Sequence, residues 1–156
     1  MFETIVWATD GSEISSEALP ALTELALGHG SSIIAVHVNQ RFRGGRFGGG
    51  PLLADEDDLI AKITQQVADL REAGLDARLQ VETTDKHNVA ALVAHAAREL
   101  DADLIVAGTH GHSAAASKVL GSVAKGLLTA AHCPVLVVPV MHKAAATSER
   151  QLALAG

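Results

Sequence analysis

A chain of 156 residues, 48% of them apolar and 19% charged, can bury one sizeable core, which excludes wholesale disorder and leaves no room for two full domains. The formal charge of −6 excludes a sequence-independent attraction to nucleic acid or to an anionic membrane, and 3% aromatic content without a tyrosine removes the stacking platforms of single-strand binders. The single cysteine, Cys133, permits no internal disulfide; with no charged leader and no long apolar run, the expected compartment is a reducing cytoplasm.

Short β-branched runs alternate with longer alanine- and leucine-rich segments of helical period, the pattern of βα units around a buried parallel sheet. The first strand, 4–9, leads through Asp10-Gly11-Ser12 into a helix over 15–27, capped either by Asp10 with Glu13 or by Ser12. Pro20 interrupts that helix or marks its first turn, and Gly28 and Gly30 close it. After a second strand, 32–38, the segment 41–51 carries three arginines among many glycines and reads as a surface loop or lid. A helix over 53–73 ends at Gly74. In the third strand, 77–83, Leu79 and Val81 alternate with Arg78, Gln80 and Glu82, as suits an edge with one wet face. A helix over 88–100, a strand over 104–107, a helix over 122–131 and a strand over 135–138 complete a domain of 1–140, followed by a tail, 141–156.

Right-handed crossovers between five mostly parallel strands predict a single doubly wound α/β sheet, Rossmann-like, in the order 3-2-1-4-5 with helices on both faces. Its switch point falls between strands one and four. Ligands of such sheets sit at the carboxyl ends of the strands flanking that point, here Thr9-Asp10 and Gly108-Thr109.

Between strand four and the next helix stands Gly108-Thr109-His110-Gly111, followed after nine intervening residues by Gly121-Ser122, a Gly-x2-Gly-x9-Gly-Ser spacing. No Walker A loop and no Gly-x-Gly-x-x-Gly after strand one occur. Glycines at 108 and 111 allow positive φ and a close approach to a ligand, while Gly121 and Ser122 open a helix whose free N–H groups suit an anion, phosphate above all. Hydrogen bonds to charged groups contribute about 1.5–3 kcal/mol each, so a handful supplies the roughly 8 kcal/mol of micromolar binding after ordering costs.

Ala8-Thr9-Asp10-Gly11-Ser12, Val36-His37-Val38, the glycine spacing and the run from His132 to Pro139 together resemble the ATP-binding branch of the universal stress protein family, over roughly the first 140 residues. The resemblance implies ATP with Mg²⁺ held through its phosphates. It places Asp10 near the ribose and, through water, the metal-bound phosphates; backbone around Val38 at the adenine edge; and Gly108, Gly111, Gly121, Ser122 and Val123 around phosphates and ribose, with Ala8, Thr9, Ala107 and His110 as further nucleotide-binding candidates. It further implies a homodimer through the strand-five edge, Val135 to Val138, with a downstream protein partner that the sequence does not name. Two features depart from the family pattern: Thr83 to Asn88 replaces a Gly-x-Pro turn, and 44–50 is a glycine-rich insertion.

Other chemistries have less support. His110 and His112 lack a third zinc ligand, since His132 and Cys133 belong to the opposite end of strand five. Ser113 or Ser117 with His110 and Asp10 would make a triad, but no nucleophile elbow presents the serine. Cys133 before Pro134 reads as a small core residue, and Lys118 and Lys125 as either phosphate partners or solvated charges. A nucleotide-dependent regulatory switch without a dedicated catalytic activity is the leading expectation. A slow ATPase using Asp10 to position metal and water, and a nucleotide-free dimeric scaffold, remain alternatives, as do AMP and cyclic AMP as ligands.

Overall fold

The computed structural model describes residues 1–40, 53–84, 88–110 and 120–140, with the backbone alone for 53–55. Five strands, β1 (Thr4–Ala8), β2 (Ser32–Gln40), β3 (Ala77–Thr84), β4 (Leu104–Gly108) and β5 (Val135–Val138), form one parallel sheet in the order β3-β2-β1-β4-β5. Between them run α1 (Glu13–Ser16), α2 (Leu19–His29), α3 (Leu53–Glu72), α4 (Val89–Glu99) and α5 (Ser122–Ala130). The expected doubly wound architecture and strand order are those observed.

Successive side chains leave a strand on opposite faces, and that alternation sorts two cores. Ile5 and Trp7, Ile33 and Ala35, and Leu104 and Val106 share one face, packed against Leu22 and Ala26 of α2 and Ile63, Val67 and Leu70 of α3. Val6, Ala8, Ile34, Val36, Ile105 and Ala107 occupy the other, packed against Ala90, Val93 and Ala97 of α4 and Leu127 of α5. With helices on both faces the central strands bury every side chain after Thr4, which is why they read as continuous apolar runs. A buried residue of the size of Ile5 or Leu22 contributes roughly 1.5–3 kcal/mol of transfer free energy, so these layers dominate the stability.

Three local expectations change. The first helix divides at Glu17 and Ala18, because Pro20 has no N–H to give and is tolerated only in a first turn; α2 therefore starts at Leu19. Gly28 lies inside α2 rather than at its end, and the left-handed C-cap is Gly30, with φ of 69°. On β3 the inward side chains are not equally covered: Leu79 packs on the core, whereas Val81 is 41% exposed, since an edge strand has a lateral neighbour on one side only.

Candidate functional site

Strand β1 ends in a turn whose hydrogen bonds are nearly all internal. Thr9 donates its N–H to the Val36 carbonyl (3.1 Å), and its Oγ1 accepts the Gly11 N–H (3.2 Å). Ser15 donates its single hydroxyl proton to the Ser12 carbonyl (3.0 Å), so across the buried 3.0 Å Thr9–Ser15 contact Thr9 is the donor. Gly11 makes the turn possible with φ of 76°, and a Cβ there would meet Leu59 Cδ2 at 2.9 Å. Of the two capping residues considered, Ser12 caps α1 by accepting the Ser15 N–H (3.1 Å), while Asp10 Oδ1 accepts the Ser12 N–H (3.0 Å) in an Asx turn. The Asp10 carboxylate is thereby held at the rim of the sheet.

The β4 end supplies the facing wall. Gly108 does not take the expected positive φ, which Gly11, Gly30 and Gly74 do. Its need for glycine is steric: a Cβ would lie 3.2 Å from the Ile14 carbonyl oxygen and 3.4 Å from Ser15 Cα. Gly121 donates its N–H to the Thr109 carbonyl (2.8 Å), and a Cβ on it would approach that oxygen to 3.0 Å. This closure makes Gly121 the N-cap of α5 and Ser122 its first residue. Lys125 donates to the Gly121 carbonyl (3.0 Å), so the N–H groups of Ser122, Val123 and Ala124 precede the helical ladder and have no acceptor within it.

These pieces surround a cavity of about 820 Å³ at the carboxyl edge of the sheet, beside the β1/β4 switch point. Ala8, Thr9, Asp10, Val38, Ala107, Gly108, His110, Gly121, Ser122 and Val123, all expected from the sequence, line it together. Gly111, His112, Ser113, Ser117 and Lys118, segments 41–51 and 85–87 and the tail 141–156 lie outside the described residues. Among the described residues, no three His, Cys, Asp or Glu side chains gather into a metal-binding group, and no helix is long and apolar enough to cross a membrane.

The cavity also contains residues that sequence reasoning did not assign to a site: Ser15, His37, Gln40, Glu56, Leu59, Asn88, Val89, Val93 and Gly126. Asn88 carried a usable signal, because the N-cap of a helix following a parallel strand stands at the carboxyl edge; its Oδ1 accepts the Ala91 N–H (3.0 Å). Gly126, inside a helix, signals a close approach, and a Cβ there would fall 2.4 Å from Ala90 Cβ. For Glu56, nothing in the neighbouring sequence points to the sheet. Burial is uneven around the space: Val36, Ala90, Val93 and Ala107 form a wall buried in the second core, whereas Asp10, Thr109, His110 and Gly121 are partly accessible and Ser122 is exposed.

A parallel sheet with its cavity at the carboxyl edge, beside the topological switch point, defines the class, a doubly wound α/β protein. The profile of the universal stress protein family matches residues 1–139, and the chain belongs to that family. A universal stress protein of Methanocaldococcus jannaschii is 32% identical over 148 residues, covering 88% of this chain and 82% of that one. Among solved structures, a universal stress protein from Archaeoglobus fulgidus in complex with dAMP superposes with a TM-score of 0.64 at 23% identity, covering 88% of this chain and 97% of that one. A universal stress protein in complex with cAMP superposes with a TM-score of 0.65 at 22% identity over the same shares. These two share the fold.

Proposed function

We propose that this chain binds an adenine nucleotide at the switch point, ATP with Mg²⁺ on its phosphates, and acts as a nucleotide-dependent regulatory module of the stress response. The observation that carries this reading is the division of the cavity. The apolar wall of Val36, Val89, Val93 and Ala107 suits the faces of a base, and the amino end of α5 with Gly108 and Gly121 suits phosphate. Asp10, between the two, suits the ribose hydroxyls, and the backbone at the end of β2 near Val38 suits the adenine edge. The dAMP and cAMP complexes of relatives with this fold support an adenine nucleotide as the ligand.

The charges support a cation. The described lining carries the carboxylates of Asp10 and Glu56, the imidazoles of His37 and His110, and neither lysine nor arginine, so a divalent cation suits the charge of a triphosphate there. A helix terminus supplies only about 0.3–1 kcal/mol toward an exposed anion. Mg²⁺, when bound, would neutralise the phosphates, and Asp10 is the carboxylate proposed to hold its waters. The position of β5 at the end of the sheet, with its four residues all half-buried, favours a homodimer through Val135–Val138.

Calorimetric titration with ATP, with and without Mg²⁺, tests the reading. Micromolar affinity that strengthens with Mg²⁺ is expected, and Gly121→Val, whose side chain meets the Thr109 carbonyl, should abolish it while the far-ultraviolet circular dichroism stays unchanged. A wild type that binds neither ATP, AMP nor cyclic AMP would overturn it.

A further inference from the structure

His37 is 3% exposed on β2, and both of its ring nitrogens are engaged. Nδ1 lies 3.0 Å from the carbonyl oxygen of Thr9, which can only accept, so Nδ1 carries a proton. Nε2 lies 2.7 Å from Glu56 Oε1 near the amino end of α3. That contact needs a second proton, placed on the ring or on the carboxyl; without it two lone pairs would face each other. The ring thus spans two elements, with the residue before Asp10 at one end and the lip of the cavity at the other.

Among the described residues, little else on this face bears charge. Beside His37, β1 presents Trp7 and Thr9, and β3 presents Leu79, Val81 and Thr83. On α3, Asp57 and Asp58 are exposed, and Lys62, roughly 9 Å further along the helix by its rise per residue, is paired with Glu13 of α1. Among the described residues, the remaining titratable groups on the cavity wall are Asp10 and His110.

We propose that His37 and Glu56 form a proton-holding latch that positions the Asp10 turn for the nucleotide, so that ligand affinity depends on the proton the pair shares. The proposal rests on the nucleotide reading above. With the proton present, imidazole, Thr9 carbonyl and Glu56 form one continuous link. When it is lost, the ring nitrogen and the carboxylate repel, the ring leaves the Thr9 carbonyl, and the turn that presents Asp10 loses the support of the His37 side chain. The closed latch binds one proton more than the open pair, so the affinity it contributes is present at low pH and falls as pH rises past the loss of that proton.

Glu56→Gln separates this from simple packing. An amide donates its N–H to a neutral ring and offers its carbonyl to a protonated one, so the link survives in both states; Glu56→Ala has no link in either. ATP affinity is measured for the three proteins across a pH series, and the ratio of wild type to Glu56→Gln cancels the titration of ATP, Asp10 and His110. The wild type should match Glu56→Gln in acid and fall roughly tenfold below it in alkali, while Glu56→Ala should be roughly tenfold weaker throughout. Ratios independent of pH would overturn the latch. If the wild type binds no nucleotide, the nucleotide reading falls, and amide exchange in the free protein decides the latch. Faster exchange of Gly11 and Ser12 in Glu56→Ala than in Glu56→Gln supports it, and equal rates overturn it.

Discussion

Asp103 shows how a single side chain ties the sheet at the end away from the cavity. Its Oδ2 accepts the N–H groups of Thr4 (3.0 Å) and Glu3 (2.8 Å), anchoring the start of β1 beside β4. Those hydrogen bonds, Thr4's first and Glu3's next, hold the carboxyl below the usual aspartate range. A depressed carboxyl contributes stability that is present above its unfolded value and lost as pH falls through its folded one. Asp103→Asn should therefore be less stable than the wild type at neutral pH, with the difference vanishing in acid; urea unfolding at a series of pH values checks this. Cys133, a neighbour in space, has its thiol pushed up by burial and then by the Asp103 charge, so its thiolate is scarce. It packs against the second core, in keeping with the sequence reading of a small core residue.

Among the elements, α5 has the most constrained place. Gly126 is a poor helix former by about 1 kcal/mol relative to alanine. Yet it lets α5 rest on Ala90 of α4, where an added Cβ would fall 2.4 Å from the Ala90 Cβ, too close to be absorbed by a flexible side chain. Gly126→Ala gains that 1 kcal/mol and incurs an overpacking cost of about 1–3 kcal/mol, so overpacking should win. The variant should melt lower and, by displacing the amino end of α5, bind ATP more weakly. Adding Ala90→Gly should restore part of both, and a double-mutant cycle read by calorimetry measures how much.

At the scale of the molecule, the cavity takes its wall from both faces of the sheet: Val36 and Ala107 belong to the second core, and Leu59 of α3 and His37 of β2 lie toward the opposite face. A ligand held there binds only when both layers are assembled. ATP at one hundred times its dissociation constant should stabilise the fold by about 2.7 kcal/mol, which for a chain of this size raises the melting temperature by roughly 5–10 °C. Scanning calorimetry with and without MgATP checks this; an unchanged midpoint would mean that binding does not depend on the assembled sheet.

The sheet was legible because two-sided burial writes itself as short continuous apolar runs, as in Ile5 to Ala8 and Leu104 to Ala107, and the handedness of crossovers leaves few ways to order them. The switch point follows from that order, and with it Asp10, Gly108 and Gly121, which stand at strand and helix ends. Where local signals competed, the chain alone left them open: Ser12 against Asp10 as cap, and Pro20 as kink or start. Val81 alternated correctly and is still half bare, because coverage of an edge is a property of its neighbours. Tertiary structure alone decided the pairing of His37 with Glu56, 19 residues apart, and the contact of Gly126 with Ala90, since each depends on how a helix lies across the sheet and no periodicity records that.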